Sequence, residues 1–434
     1  MHPSLPLPSS KTNETSSFLP KGLLRPFVLV TGLFFLWGVP NNLNDVLIRQ
    51  FMKSFAISRF QAGLVQSAFY LGYFLLALPA GLLIKRYGYK LGFLTGLLCF
   101  GLGCMLFWPA AMTSSYVFFL SALFIVASGL AFLETAANPF IAQLGPDASA
   151  ERRLNFSQAF NPIGAISGVL IGTRFIFSGI ELTPAQKASM VSAGTYVAYL
   201  HHETQRVVTP YLVLGVIVLV WATLIAVTQF PRIPRVIEVA DPSSGSWKRL
   251  FRHRLLLYAV VAQFFYVGAQ VGTWSYFIPY AQEYTHVSER IAGLLLTGTL
   301  VAFGIGRFGS AYIMQWLAPA KLMRVYAILN LLLLSVGIFA PGWYGLLAVL
   351  MTSFFMSIMY PTIFAIGIRD MGEETNLAGS LIVMAILGGA ILTPVMGLIS
   401  EYSHSMATAY LVPAVCYLVI AAFSSRVPTP EITA

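Results

Sequence analysis

Charge is scarce in this chain. Of its 434 residues, 10% are Asp, Glu, Lys or Arg, while 57% are hydrophobic. Soluble globular domains are roughly one quarter charged, so a water-soluble fold would lack the polar side chains to cover its surface. The same hydrophobicity excludes a disordered chain. What remains is an integral membrane protein. Cysteine is rare too: Cys99, Cys104 and Cys416 lie in apolar stretches with no CxxC and no even framework, and read as small buried helix residues. The six histidines include the pair His201 and His202 but no HExxH or other ligand spacing, so a metal site is not expected. No G-x-S-x-G, Walker loop or paired-carboxylate arrangement occurs, which leaves no enzyme chemistry to assign. A cleavable signal is also missing, because residues 1–20 are polar and rich in Ser and Pro. Residues 1–23 therefore read as a disordered cytoplasmic tail.

What is present is a series of long apolar runs. A hydrocarbon core about 30 Å thick needs roughly 20 apolar residues per helix. Twelve runs qualify, at about 24–50, 61–85, 91–111, 115–143, 155–178, 209–230, 255–282, 291–315, 321–340, 343–368, 376–399 and 406–424. They are continuous rather than alternating, which excludes barrel strands. The net charge of +10 does not point to nucleic acid, because the basic residues are scattered between apolar runs. With the N-terminus inside, 18 of the Lys and Arg residues fall in cytoplasmic segments and 7 outside, with Arg307 within the eighth span. That bias places both termini in the cytoplasm. Residues 231–254, with Pro231, Pro234, Pro242 and the run Ser243 to Ser246, read as a cytoplasmic linker. It joins an N-terminal six-helix half (24–230) to a C-terminal one (255–425), ahead of a short tail (426–434). This is the plan of parallel-repeat transporters, whose site lies between the repeats near mid-membrane. The turn from Gly81 to Lys90 resembles the G-x-L-x-D-R-x-G-R-K loop signature of the major facilitator superfamily, with Lys85 in place of the aspartate.

Polar groups inside a bilayer are costly and default to functional candidates. Of the 16 acidic residues, only Asp45 and Glu134 fall well within the expected spans. Asp45 follows Asn41, Asn42 and Asn44 just after Pro40, which frees a backbone carbonyl and is expected to bend the helix. Glu134 and Asn138 stand four apart on one helix face, with Pro139 next. A carboxyl in a low-dielectric site has its charged form disfavoured, the property a proton carrier needs. The plainer alternatives are a structural carboxyl hydrogen-bonded inside the bundle, or Asp45 at the outer rim. Asn155, Gln158 and Asn161 open the fifth run. In the seventh, Gln263, Tyr266, Gln270 and Trp274 form one helical stripe. Amides both donate and accept, and aromatic faces suit the C–H faces of a sugar ring. A polar, uncharged stripe beside aromatics therefore argues for a neutral polyhydroxylated ligand, whereas an anion would call for clustered arginines. Interhelical amide contacts remain the alternative. The G-x-G-x-x-G match at Gly304 to Gly309 lies inside an apolar helix with no preceding strand, so it reads as close helix packing, as do Gly164, Gly168 and Gly172. The sequons at Asn13 and Asn155 fall on the expected cytoplasmic side. Arg307 reads as a structural or snorkelling charge.

Several of these segments resemble the fucose–proton symporter family of the major facilitator superfamily. They are Asn41 to Asp45, Gln66 to Tyr70, Leu133 to Phe140, Gln158 to Asn161, Tyr266 to Gln270, Leu296 to Thr299, Tyr360 to Phe364 and Thr393 to Gly397. The likeness covers nearly all twelve runs and is least in the tail, the 179–208 loop and the 231–250 linker. It implies proton-driven uptake of a sugar by alternating access, with the proton as coupling ion and no other cofactor. By the same resemblance, Glu134 is the proton-linked group that also meets the sugar. Asp45 is a second group needed for coupling, and Asn42, Gln158 and Asn161 line the cavity. Asn138, the stripe on the seventh run and Tyr360 complete the candidate sugar contacts. L-fucose, galactose and glucose are the expected substrates, in a monomer embedded in a bacterial inner membrane. Sodium coupling is the principal alternative. A drug exporter fits less well with an amide-rich cavity, and a membrane sensor would want an output domain larger than these short termini.

Overall fold

The structure is a computed structural model that describes residues 19, 22–145, 150–231, 252–314, 316–369, 371 and 375–427. Most of the expected N-terminal tail, the body of the linker (232–251) and the C-terminal residues from 428 onward lie outside the described residues. The described chain is all-α, with no strand. Twelve helical segments are long and apolar enough to cross a membrane. They are α1 (Leu24–Ser54), α2 (Arg59–Ile84), α3 (Tyr89–Met112), α4 (Tyr116–Ile141), α5 (Phe156–Ile176), α6 (Tyr196–Val227), α7 (Arg254–Ser275), α8 (Glu289–Ser310), α9 (Pro319–Phe339), α10 (Trp343–Gly367), α11 (Leu381–Ser403) and α12 (Met406–Arg426). The protein is a multi-pass membrane protein, because only helices that satisfy their own backbone can present this much apolar surface to lipid.

Local chemistry fixes where the spans begin. Ser58 caps α2 by accepting from the Gln61 N–H while the Gln61 side chain returns to the Ser58 N–H, which satisfies two orphan donors at once. Ser115 and Ser288 cap α4 and α8 in the same position. Between α2 and α3 the chain turns on Gly88, whose φ of 92° is open to glycine at no steric cost. Successive spans run in opposite directions. An even number of them brings both ends of the described chain to one face, here the terminus end. Residues 55–58 between α1 and α2 mark the opposite face, the loop-1 end.

The first six spans and the last six each pack mainly among themselves. They meet where α2 lies on α11 and where α5 lies on α8. Lipid gives helices no hydrophobic reason to associate, so close packing must supply it. The α1–α5 contact illustrates this. A Cβ at Gly164 would fall 2.2 Å from the Phe35 carbonyl oxygen, and one at Gly168 2.2 Å from that of Val39. At Gly172 it would meet the Leu43 side chain at 2.8 Å. The three glycines are therefore the surface on which α1 rests. In α8 the expectation of close packing holds for Gly306, where a Cβ would come within 2.2 Å of the Phe354 carbonyl. It fails for Gly304 and Gly309, which face open space.

Two departures from the hydropathy reading matter for the site. Residues 179–208 are not simply a loop, because they carry helices at Pro184–Ser192 and Tyr196–Gln205. Thr183 starts the first with a capping box to Gln186 and Pro184 in its first turn, and the second is the opening part of α6. Both are too polar to register as apolar runs. The seventh run is also not one helix: α7 stops at Ser275, and a separate helix, Phe277–Thr285, continues after Tyr276.

Candidate functional site

Asp45 lies on α1 and is buried, 3% exposed. Its Oδ1 accepts from Gln66 Nε2 of α2 and from Ser275 Oγ of α7, both at 2.9 Å. Its Oδ2 accepts from Asn42 Nδ2, one turn earlier, at 3.3 Å. Gln66 Nε2 also donates to Ser275 Oγ at 2.9 Å. The carboxyl thus joins the two halves of the chain, and Asn42 is turned toward it.

This cluster is the innermost layer of a seal at the loop-1 end. Ser67 Oγ of α2 donates to the Ala390 carbonyl of α11 at 2.6 Å, and Tyr276 OH donates to the Arg59 carbonyl at 2.7 Å. Farther out, Arg59 pairs with Glu283 and donates to Ser400, while the Phe60 N–H donates to Glu401. On the other side of the seal, Lys53 Nζ lies 3.2 Å from Glu203 Oε2 and 3.1 Å from Glu289 Oε1. It also donates to Ser178 Oγ at 2.7 Å. The Gly179 N–H adds a bond to Glu289 at 2.8 Å. Both glutamate side chains are wholly buried. Sequence position alone put them in loops outside the membrane; Glu203 is buried against α1 of its own half, where Gln50 Nε2 lies 3.3 Å from it, and Glu289 where the two halves meet.

Glu134 lies on the terminus-end side of this seal and differs from Asp45 in its surroundings. Its side chain is exposed, yet it stands beside Tyr73 of α2 and within electrostatic reach of Tyr360 on α10. A group that water reaches while both halves flank it occupies a cleft between them. Since the loop-1 end is sealed, the cleft opens at the terminus end. Asn138, one turn farther toward that end, donates to the Glu134 carbonyl at 3.1 Å and accepts from Gln158 Nε2 at 3.1 Å. Gln158 is exposed, and Asn161 donates to the Phe34 carbonyl at 3.4 Å.

The second half contributes α7 and α10. Gln263 and Tyr266 are fully buried, and neither the Gln263 amide nor the Tyr266 hydroxyl has a hydrogen-bond partner among the described residues. The Tyr266 ring lies 6.2 Å from that of Tyr360. Gln270 and Trp274 are half-buried. Trp274 Nε1 donates to Ser353 Oγ at 3.1 Å, and its ring packs edge-on to Phe303 at 5.3 Å. Arg307 lies over the Phe303 ring at 4.9 Å and donates to the Ser357 carbonyl at 3.4 Å. The candidates thus fall into three groups. Glu134, Asn138, Gln158 and Asn161 belong to α4 and α5, opposite the set on α7 and α10, while Asp45 and Asn42 lie in the seal. Sequence reasoning assigned no role to Gln66, Tyr73 or Ser275. Gln66 carried a signal, as a polar residue inside an apolar run; Ser275 carried none. No cluster of three His, Cys, Asp or Glu side chains among the described residues is arranged to hold a metal ion.

Twelve spans, two packed sets of six and a polar cleft between them define an alternating-access membrane carrier. The model of the Major Facilitator Superfamily matches residues 27–394, and the chain belongs to that superfamily. It is 46% identical over 409 residues to the L-fucose-proton symporter of Escherichia coli strain K12, covering 93% of each chain. To the putative glucose/galactose transporter of Helicobacter pylori strain 26695 it is 33% identical, covering 95% of this chain and 98% of that protein. Among solved structures it is similar to the superfamily transporter FucP in the outward conformation. That match has a TM-score of 0.69 at 45% identity, over 94% of this chain and 99% of the other.

Proposed function

We propose that the protein is a secondary active transporter that takes up a neutral monosaccharide, L-fucose or a related hexose such as galactose or glucose, together with a proton. The observation that carries this reading is Glu134, an ionisable side chain open to a cleft whose other candidate groups are amides and aromatics. Closing a low-dielectric cleft over a bare carboxylate is costly. A proton on Glu134 removes the charge, and a sugar offers hydroxyls to the carboxyl and to the amides of Asn138 and Gln158. The unpartnered Gln263 amide and Tyr266 hydroxyl favour a polar ligand or water beside them, since a buried polar group left unmade costs about 1–3 kcal/mol. The relatives named for L-fucose, glucose and galactose transport support the same substrate class.

Alternating access then follows from the two halves, 24–230 and 255–425, rocking about the cleft. With both termini in the cytoplasm, a reading the basic bias of the loops supports, the terminus end is cytoplasmic and this conformation faces inward. In the outward-facing form the carrier takes a proton and then the sugar. It closes at the loop-1 end and releases both to the more alkaline cytoplasm. We further propose a bacterial inner-membrane location and a monomeric working unit.

Sugar-evoked proton movement into proteoliposomes tests the reading, measured without sodium across L-fucose, galactose, glucose and arabinose. Alkalinisation of the external medium with one sugar is the expected result and names the substrate. A response that appears only after sodium is added would replace the coupling ion. No response in either condition would overturn the reading.

A further inference from the structure

We propose that Ser275 is a positioning residue that ties the state of Asp45 to closure of the loop-1 end; the inference rests on the transport reading above. The Asp45 carboxylate holds three donors, from Asn42, Gln66 and Ser275. An ionised carboxylate is acceptor-only and has room for about four such bonds, so this arrangement suits the ionised form. Two of the donors travel with Asp45, being on α1 and α2. Ser275 alone belongs to the second half. It is wholly buried and ends α7 immediately before Tyr276, whose hydroxyl is anchored on the Arg59 carbonyl within the seal. The Ser275 bond to Asp45 exists only while the halves meet at this end.

No basic side chain forms an ion pair with Asp45 among the described residues. A titratable neighbour is Tyr70 of α2, which is within electrostatic reach of both Asp45 and Glu134. The hydroxyl of Ser275 is thus the group whose presence at Asp45 changes between the two conformations. When the loop-1 end is open, Asp45 keeps two donors and can hold a proton. When it closes, burial raises the cost of a bare carboxylate, and the arriving hydroxyl offsets part of that cost, so that the proton can leave toward the cleft. Sugar movement is thereby linked to proton movement at the moment of closure.

The experiment compares Ser275→Val with Ser275→Thr, two nearly isosteric side chains that differ in the hydroxyl. Both are measured for accumulation and for equilibrium exchange of whichever of L-fucose, D-galactose and D-glucose the wild type accumulates. Ser275→Val is expected to keep exchange and lose accumulation by at least about tenfold, the lower end of what one charge-assisted hydrogen bond supplies. Ser275→Thr is expected to restore accumulation. In an Asp45→Asn background, Ser275→Val should cause no further loss, because a shared function is not additive. Equal accumulation by Ser275→Val and wild type would overturn the inference, as would equal defects in the Val and Thr variants or a further additive loss in Asp45→Asn. A wild type that moves no proton with any sugar defeats the transport reading instead, so the two failures are distinct.

Discussion

Replacing Lys53 tests whether the loop-1 seal holds this conformation. Its ammonium lies between Glu203 Oε2 at 3.2 Å and Glu289 Oε1 at 3.1 Å, both on wholly buried side chains. Removing one member of a buried ion cluster costs about 3–5 kcal/mol, because a charge is left uncompensated. Not all of that cost distinguishes the two conformations. Glu203 belongs to the same half as Lys53 and stays beside it when the seal opens, whereas Glu289 begins α8 in the other half. The differential part is the Lys53–Glu289 bond, about 1.5–3 kcal/mol for a charge-assisted contact. That corresponds to a shift of about 10- to 150-fold in the conformational equilibrium. Spin labels at Val197→Cys and Tyr344→Cys, both exposed and on opposite halves, report the opening as a distance distribution in a cysteine-free background. In Lys53→Met the longer, open population should grow by that factor, and adding Glu289→Gln should reverse part of the gain. An unchanged distribution in Lys53→Met would refute the seal as the determinant of this state.

Further outcomes follow from the same geometry. Glu134→Gln, a mimic of the protonated carboxyl, should keep sugar exchange while abolishing gradient-driven accumulation; full accumulation in a proton-gradient assay would remove Glu134 from the coupling role. Gly168→Ala places a Cβ 2.2 Å from the Val39 carbonyl and should cost about 1–3 kcal/mol, read as a lowered melting temperature in detergent. Gly304→Ala faces open space and should leave that temperature unchanged or raise it, since Ala costs less conformational entropy in a helix. Trp274→Phe removes the indole N–H that reaches Ser353 but keeps an aromatic face. It should weaken sugar binding less than Trp274→Ala does, as measured by titration calorimetry; equal losses would mean that the face is not what the ligand meets.

Some of this architecture was legible from residue order alone. Twelve apolar runs became twelve spans because backbone satisfaction in lipid is a local requirement, decided within each helix. Asp45 and Glu134 stood out because a carboxyl inside an apolar run needs no tertiary information to be conspicuous. The glycines at 164, 168 and 172 were readable as a packing face from their spacing, although Gly304 and Gly309, in a comparable pattern, face open space. Only the tertiary structure decided which carboxyl meets water. Asp45 is shut inside the seal and Glu134 opens to the cleft, yet nothing in their flanking residues distinguishes the two. Glu203 and Glu289 make the same point, since both lie in segments polar enough to read as loops and both are fully buried. Ser275 gained its place from a helix break and a partner 230 residues away. Hydropathy records the preference of one segment for lipid or water, whereas the burial of a side chain between two halves depends on which end is closed. One sequence must support both closures, so it specifies the spans and leaves the seal to the packing.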